Sequence, residues 1–222
     1  MLAHQILSFL FQLPFTVRLP RGVQVLNPYA DATAQEVCTQ FYERFYSDDS
    51  PRTLLLGINP GRYGGGITGI PFTDPVQLER YCGMATPWKR QEELSARFVW
   101  EVIAAMGGPE LFYNRFYISA ISPLGFVKEA KNLNYYDDPL LLKRIEPFAV
   151  ECLRRQLDFG LHTEVCFCIG EGDNLRFLHQ LNQRHGFFQS VVPLPHPRFI
   201  MQYKLRQKAD FIQLYKERLT AG

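Results

Sequence analysis

The sequence predicts one α/β domain in which helices cover both faces of a central, four-stranded, mainly parallel sheet. Two observations lead to this prediction. Short apolar runs alternate along the chain with longer segments of helical periodicity, which is typical of α/β proteins. Continuous apolar runs of this length are also typical of parallel strands that are buried on both faces. With 222 residues and no dividing linker, the chain is long enough for a full core. We therefore expect a single three-layer α/β/α domain over residues 1–222.

The predicted elements follow this alternation from the N-terminus. The segment Met1–Pro14 is apolar at intervals, which predicts an amphipathic helix and not a secretory signal. We expect residues 1–50 to form a helical part that packs on the rest of the domain. Four apolar runs predict the strands Thr53–Ile58, Phe116–Ile121, Val165–Ile169 and Ser190–Leu194. Helical periodicity predicts further helices at Ala34–Phe45, Glu92–Met106, Leu140–Phe159, Asp173–His185 and Leu205–Leu219.

The longest irregular stretch of the sequence, residues 59–87, contains six glycines and four prolines. A structureless segment of this length inside a compact domain is usually either functional or disordered. This one directly follows the predicted carboxyl end of the first strand, and ligands of open α/β sheets bind at that edge. The position therefore favours a functional loop.

Charge and cysteine content exclude several classes of protein. With 24 Lys and Arg against 22 Asp and Glu, the net charge is +2, so a nucleic-acid partner would have to bind a local patch. The segment Arg198–Arg218 is such a patch, with six basic and two acidic residues, although a solvated helix face is an alternative interpretation. The five cysteines form no Cys-x-x-Cys pair, which argues against a zinc or iron–sulfur site and favours the cytoplasm. No apolar run reaches the ~18 residues that a membrane span needs.

The first candidate loop runs from Gly57 to Asp74. It contains neither the Gly-Lys-Ser/Thr of a phosphate-binding loop nor the Gly-x-Gly-x-x-Gly of a dinucleotide fold. It does offer the amide side chain of Asn59 at the strand end, glycine backbone that can approach a flat ligand, and the ring of Phe72 for stacking. A glycine turn beside a core phenylalanine would have the same sequence, so this alternative stays open.

The second candidate loop runs from Pro193 to Tyr203 and follows the last predicted strand. His196 lies between two prolines, which restrict the backbone and hold the imidazole in one direction. A lone histidine is often a structural hydrogen-bonding residue. We expect His196 to lie opposite Asn59 at the same sheet edge, where both side chains could act on one ligand.

The two loops together resemble a known family. The pattern Asn59-Pro-Gly-x-x-Gly-x-x-x-Thr-Gly-x-Pro-Phe72, followed later by His196-Pro, resembles the two signature motifs of the uracil-DNA glycosylase superfamily. The nearest branch is the single-strand-selective monofunctional (SMUG-type) uracil-DNA glycosylases, in a divergent form similar to bacterial members. The resemblance covers most of the chain from about Val25 to Leu219. It implies that superfamily's α/β fold, a DNA partner, no metal or other cofactor, and a place in the bacterial cytoplasm or nucleoid.

The resemblance also implies roles for individual residues. Asn59 would position the attacking water, and His196 would donate a hydrogen bond to the base as it leaves with negative charge. Phe72 would stack on the extruded base, and Gly61 stands where strictly uracil-specific relatives carry a tyrosine that crowds C5. The complete base pocket implied in this way is Ile58, Gly61, Tyr63, Gly65, Phe72, Ala120 and Ser122. Neither motif contains a lysine that could form a Schiff base, so no lyase activity is expected.

Two departures from the family pattern affect this assignment. Ala120 replaces an asparagine that reads the uracil edge, so Ser119, Ser122 or backbone groups would have to substitute for it. A wider base range that includes hypoxanthine and xanthine is the resulting hypothesis. A gapless alignment would also place Leu194 at the position of the catalytic histidine. We prefer His196, because leucine cannot donate a hydrogen bond.

The basic segment after His196 is expected to contact DNA. The residues assigned to this contact are Arg198, Met201, Tyr203, Lys204 and Arg206. A wedge that enters the base stack is expected from Phe199, Ile200, Met201 or Tyr203.

The sequence therefore predicts a monofunctional DNA glycosylase, expected to act as a monomer on single- or double-stranded DNA. It would extrude uracil, and by hypothesis deaminated purines, and hydrolyse the N-glycosidic bond to leave an abasic site in base-excision repair. Two other classes remain open: a damaged-DNA-binding module without turnover, and a nucleoside or nucleotide hydrolase.

Overall fold

The computed structural model describes residues 1–221, and its central sheet is the predicted one. Four strands, β2 (Thr53–Gly57), β3 (Phe116–Ala120), β6 (Val165–Ile169) and β7 (Ser190–Leu194), lie in the order β3-β2-β6-β7 and all run parallel. Every residue of β3 and β6 is buried, so helices cover both faces there, as the continuous apolar runs predict. The partly exposed β7 pairs only with β6 and contains Pro193, which an edge strand tolerates. The predicted α/β architecture is confirmed.

Ten α-helices are described in residues 1–221. Their bounds are α1 (Leu2–Phe11), α2 (Ala32–Phe45), α3 (Gly65–Thr68), α4 (Pro75–Cys82), α5 (Leu94–Ala105), α6 (Pro109–Tyr113), α7 (Pro139–Leu157), α8 (Asp173–His185), α9 (Pro197–Tyr203) and α10 (Lys208–Ala221). The carboxylates of Asp31, Asp74 and Asp138 cap α2, α4 and α7 by accepting from backbone N–H groups, which fixes where these helices begin. No described helix is long and apolar enough to cross a membrane.

The structure corrects the sequence prediction in three helical regions, one of which is the unpredicted short helix α6. The stretch 59–87 is not irregular throughout, because it contains α3 and α4. Asp74 followed by Pro75 is a strong start signal for α4, but the surrounding glycines and prolines hide the short helix in the sequence. The last predicted helix begins later, at Lys208, after a 3-10 turn at Leu205–Gln207 and the separate α9.

A second, antiparallel sheet is absent from the sequence prediction. It consists of β1 (Val23–Leu26), β4 (Gly125–Lys128) and β5 (Lys131–Leu133) in the order β1-β4-β5. These strands have only three or four residues, too few for a clear hydrophobic period, and β1 pairs with β4 about a hundred positions further along the chain. This small sheet matters for function because it carries β5 to the wall of the cavity described below.

One hydrophobic core extends through the described chain. Its buried apolar side chains run from Leu2 in α1, through the central strands, to Leu219 in α10. Helix α1 packs on α2, and Ile6 and Phe9 are almost fully buried. The assignment of residues 1–222 to one domain stays a prediction, and Gly222 lies outside the described residues.

Candidate active site

A cavity of about 400 Å³ lies at the carboxyl ends of the parallel strands. Gly57 at the end of β2, Ala120 at the end of β3 and Gly170 just after β6 all contribute to its wall. This is the edge at which open α/β sheets bind ligands. Both candidate loops of the sequence line this cavity, so the structure brings Asn59, Phe72 and His196 together.

Three hydrogen bonds hold the side chain of Asn59, the longest of them from Nδ2 to the carbonyl of Pro60 at 3.5 Å. Its Oδ1 accepts from the backbone N–H of Tyr135 at 3.0 Å, and its Nδ2 donates to the carbonyl of Leu133 at 3.2 Å. An amide has two N–H donors and two acceptor lone pairs, so this anchoring leaves one lone pair of Oδ1 for a donor in the cavity. The arrangement is suited to holding a water molecule, but an amide cannot take up its proton as a strong base.

The ring of His196 is oriented by the start of α9. Its Nδ1 accepts from the backbone N–H of Arg198 at 3.1 Å, so the proton of the neutral imidazole is on Nε2. Nε2 forms no hydrogen bond within residues 1–221, and the side chain lines the cavity. Burial, and secondarily the guanidinium of Arg198, lower the pKa of His196 to about 4. At neutral pH the cavity therefore contains an uncharged imidazole with a free N–H donor.

The low pKa of His196 predicts a loss of stability in acid. As the pH falls from about 6.5 to about 4, the unfolded chain binds a proton at this residue and the folded chain does not, so the free energy of unfolding decreases. A His196→Ala protein should lack this acid-induced decrease in the free energy of unfolding, which is at most about 3 kcal/mol at pH 4. Denaturant titrations at several pH values measure it, with the exposed His179→Ala as control. Parallel pH curves for wild type and His196→Ala would contradict the low pKa.

Phe72 presents its ring to the cavity from an unusual backbone conformation. Its φ is +51°, a left-handed value that is rare for an aromatic residue and often found at functional sites. The ring lies against Gly57, because a Cβ at Gly57 would be only 2.8 Å from Cε2 of Phe72. Its centroid is 6.4 Å from that of His196. The ring thus forms a rigid apolar surface next to the histidine donor.

The contact between Gly57 and Phe72 predicts a mutational effect. Gly57→Ala should displace the ring and slow the reaction of any ligand that stacks on it by about 10- to 100-fold, because small misplacements near reacting atoms are costly. Turnover and the thermal midpoint, measured together, separate this effect from a loss of fold. In a Phe72→Leu protein the methyl group added by Gly57→Ala has no ring to displace, so Gly57→Ala should lower the rate only slightly there. An equal loss of rate from Gly57→Ala in wild type and in Phe72→Leu would show that the ring is not involved.

The structure places the remaining predicted pocket residues in two groups. Ile58, Gly61, Gly65 and Ala120 line the cavity, as expected. Tyr63 and Ser122 lie outside its lining, which corrects the predicted pocket.

The positions of those two residues have simple causes. The ring of Tyr63 packs under the guanidinium of Arg62, with 4.5 Å between the Arg62 Cζ and the ring centroid. Ser122 is fully buried, and its hydroxyl donates to the carbonyl of Leu124 at 2.7 Å. Neither residue therefore presents a free polar group to the cavity.

The predicted DNA-contacting residues lie in α9 and in the segment that follows it, and they differ in exposure. Arg198 and Tyr203 line the cavity, whereas Lys204 and Arg206 are exposed outside it. Met201 is buried in the core and cannot contact DNA, so this prediction was wrong.

Helical periodicity in α9 decides between the wedge candidates. Ile200 and Met201 are buried, which removes both of them. Phe199 and Tyr203 are 47% and 72% exposed, and their ring centroids lie 5.8 Å apart. These two aromatic side chains form an exposed apolar pair at the cavity, which we call the aromatic pair.

Several residues of the cavity wall were not predicted from the sequence. Glu93, just before α5, and Asn132 in β5 both line the cavity, as does the whole segment 170–174 at the start of α8. In the sequence, Glu93 is one of two adjacent glutamates at the start of the predicted helix Glu92–Met106, and the segment 170–174 fits an ordinary strand-to-helix turn. Asn132 lies in a strand too short to predict. No group of three or more potential His, Cys, Asp or Glu metal ligands occurs among the described residues.

Two comparisons with known proteins give matches over most of the chain. The family model described as "Uracil DNA glycosylase superfamily" matches residues 44–220. The chain is also similar to SMUG2 of Pedobacter heparinus, whose wild-type crystal structure gives a TM-score of 0.97 and a sequence identity of 42%. The match covers 99% of this chain and 97% of that chain.

Proposed function

Since the chain belongs to the uracil DNA glycosylase superfamily, as a DNA glycosylase of the SMUG type, we propose that it excises uracil and also the deaminated purines hypoxanthine and xanthine from DNA. The observation that carries this proposal is the cavity that brings Asn59, Phe72 and the neutral His196 together at the end of the parallel sheet. The product would be an abasic site, the substrate of the later steps of base-excision repair.

The base has to leave the DNA stack before the reaction. The cavity lies at a sheet edge whose walls would enclose a single base, and an intact duplex cannot present the glycosidic bond there. The extruded ring would stack on Phe72, which Gly57 and its own left-handed backbone hold in place. Stacking on an aromatic face tolerates pyrimidines and purines alike, because every base has a π-face.

His196 would stabilise the leaving base. Breaking the N-glycosidic bond leaves negative charge on the base and positive character on the sugar. The Nε2–H of His196 can donate to the carbonyl oxygen on which this charge develops. Its low pKa keeps the imidazole neutral at physiological pH, so it acts by hydrogen bonding and not by full proton transfer.

Asn59 would hold the water that attacks the sugar. Its anchoring to β5 and to Tyr135 fixes the amide relative to the cavity, so a water bound to it has a defined direction of approach. Because the amide is not a base, the proposed reaction depends mainly on stabilising the leaving group. No lysine lines the cavity in the described chain, which supports hydrolysis without a Schiff base and without strand cleavage.

The wide base range rests on small residues in the wall. Gly61 and Ala120 project no large side chain into the cavity, which leaves room for a purine ring system. The hypothesis predicts cleavage of hypoxanthine and xanthine as well as uracil. Activity on uracil alone would contradict it.

The exposed positive charges beside the cavity would bind the DNA backbone. Replacing Lys204 and Arg206 by glutamine should weaken DNA binding equally for all sequences and reduce the slope of log K against log salt by about 2. Fluorescence anisotropy at several salt concentrations measures this slope, and Lys143→Gln, an exposed change on α7, is the control. An unchanged slope would exclude these side chains as phosphate contacts. The aromatic pair, Phe199 and Tyr203, would fill the space that the extruded base leaves in the stack.

One experiment separates the glycosylase from the two other classes. An end-labelled oligonucleotide with a single uracil is incubated with the protein and then heated in alkali, which breaks the strand at abasic sites. Breakage supports the glycosylase, and binding without breakage would instead indicate a DNA-binding module. Turnover of free nucleosides without oligonucleotide cleavage would indicate a hydrolase. Monomeric action in the bacterial cytoplasm or nucleoid stays a prediction.

A further inference from the structure

Two polar side chains of the cavity, Glu93 and Asn132, carry hydrogen-bonding groups that the proposed mechanism does not use. We propose that they form an acceptor–donor pair that recognises the adjacent N–H and C=O groups on the edge of a deaminated base. In this role they would replace the amide that is missing at Ala120. The inference rests on the proposed function and names the residues that set its base preference.

Asn132 presents a fixed donor. Its Oδ1 accepts from the backbone N–H of Arg62 at 3.1 Å. A backbone N–H can only donate, so the oxygen must face Arg62 and the NH₂ group faces the other way. That Nδ2 lies beside Gly61, where a Cβ would be 3.1 Å from it, and it forms no hydrogen bond with any residue from 1 to 221. The amide is therefore held by its oxygen and has two donors to offer.

Glu93 presents an acceptor. Its backbone N–H donates to the buried carboxylate of Asp74 at 2.7 Å, which fixes the residue at the start of α5. Its side chain does not cap that helix but lines the cavity, and it is only 15% exposed. The nearest cation, Arg198, is 3.9 Å away, which is beyond hydrogen-bonding distance.

The carboxyl group of Glu93 forms no hydrogen bond within the described part of the chain. Burial raises its pKa, and Asp74 adds to this effect, whereas Arg198 opposes it. An enclosed polar group without a partner costs free energy. A ligand that supplies a donor to this carboxyl would recover that cost, so the group favours ligands with an N–H at this point.

The two groups lie at the same place in the wall. Oε1 of Glu93 and Nδ2 of Asn132 are each 3.1 Å from the position that a Cβ of Gly61 would occupy. The absence of a side chain at Gly61 therefore leaves both groups open to the cavity. Asn174, another amide in the wall, cannot take this role, because it donates to Cys168 and Ile169 and accepts from the hydroxyl of Tyr135.

The chemistry of this pair matches deaminated bases and mismatches cytosine and adenine, whereas thymine and guanine, which also carry a ring N–H next to a carbonyl, have to be rejected by other parts of the wall. Uracil, hypoxanthine and xanthine each carry a ring N–H next to a carbonyl, which fits an acceptor beside a donor. Cytosine and adenine carry an unprotonated ring nitrogen next to an amino group, which places acceptor against acceptor and donor against donor. A bidentate contact of this kind discriminates strongly between bases.

Single-turnover excision by the variants Glu93→Ala and Asn132→Ala tests the proposal. The substrates are oligonucleotides that contain uracil, hypoxanthine or 3-methyluracil, in which a methyl group replaces the ring N–H. Each variant should cleave uracil and hypoxanthine about 10- to 100-fold more slowly than wild type. Wild type should reject 3-methyluracil relative to uracil, and Glu93→Ala should lose most of this discrimination. Glu92→Ala and Asn114→Ala are matched controls that do not line the cavity.

A second variant keeps the test valid if Glu93→Ala does not fold. Glu93→Gln preserves the shape of the side chain and can turn an NH₂ group to the base, so the preference for uracil over cytosine should fall by about tenfold or more. Wild-type rates in both alanine variants, or equal slowing of uracil and 3-methyluracil in Glu93→Ala, would overturn the proposal. Failure of wild type to cleave any of the oligonucleotides would instead overturn the proposed function.

Discussion

His196→Ala is expected to excise uracil about 100- to 1,000-fold more slowly than wild type, the loss typical of removing one donor to developing negative charge. The cause is specific to Nε2. In the folded protein Nδ1 accepts from the backbone of Arg198, so Nε2–H is the donor that faces the cavity. Single-turnover rates at saturating enzyme measure the chemical step, and binding to an abasic-site oligonucleotide should change little.

The control for this variant is His179→Ala, which alters an exposed histidine on α8 outside the cavity. Its rate should equal that of wild type. The expected rate of wild type is also constant between pH 8 and about pH 5, because His196 stays neutral down to its pKa of about 4. A rate that follows a group with a pKa near 6.5 in both wild type and Glu93→Gln would show that His196 titrates normally, and wild-type activity in His196→Ala would exclude it from the reaction.

Asn59→Ala is expected to lower the excision rate by about 100-fold, because the water would lose its fixed position relative to the sugar. The affinity for uracil-containing DNA should remain close to that of wild type, since Phe72 and the basic residues still bind. A combination of slow chemistry and normal binding would identify Asn59 as a residue of the chemical step. Single-turnover rates and equilibrium binding on the same oligonucleotide measure the two quantities.

The amide of Asn59 also ties the loop after β2 to β5 and Tyr135 through two hydrogen bonds, so stability has to be measured with activity. Removing both bonds should cost about 1 to 3 kcal/mol in the free energy of unfolding. If Asn59→Ala is unfolded, the loss of the folded protein explains the lower rate. Far-UV circular dichroism detects such unfolding. Full activity in a folded Asn59→Ala protein would contradict the assigned role.

The central sheet could be predicted because its signals are local. The run Val165–Ile169 is apolar throughout and is a strand with the predicted bounds. Asp173–His185 is likewise a helix with the predicted bounds, since its periodicity is uninterrupted and Gly186 ends it in a left-handed conformation. By contrast, β1, β4 and β5 are each too short to show a period, and pairing between distant segments stabilises them.

In the candidate site, too, local sequence signals predict some residues, and only the packing of distant segments places the others. Asn59, Phe72 and His196 could be named because they lie in motifs whose spacing the sequence displays. Met201 and Ile200 could not be separated from Phe199 and Tyr203, because the face of α9 that packs into the core depends on the position of α5. The sequence places Ser122 only two positions after Ala120, which predicts a pocket residue, but its hydroxyl donates to the carbonyl of Leu124.

The sequence by itself determined the α/β class, the positions of the main strands along the chain and the two loops that line the cavity, since each depends on hydrophobic period or on a contiguous motif. Only the tertiary structure decided which further groups reach the cavity. Glu93 and Asn132 come from segments about forty residues apart and meet beside Gly61, and no local pattern encodes such a meeting. The tautomer and low pKa of His196 were also decided there, because both depend on burial and on a hydrogen bond that exists only after α9 has formed.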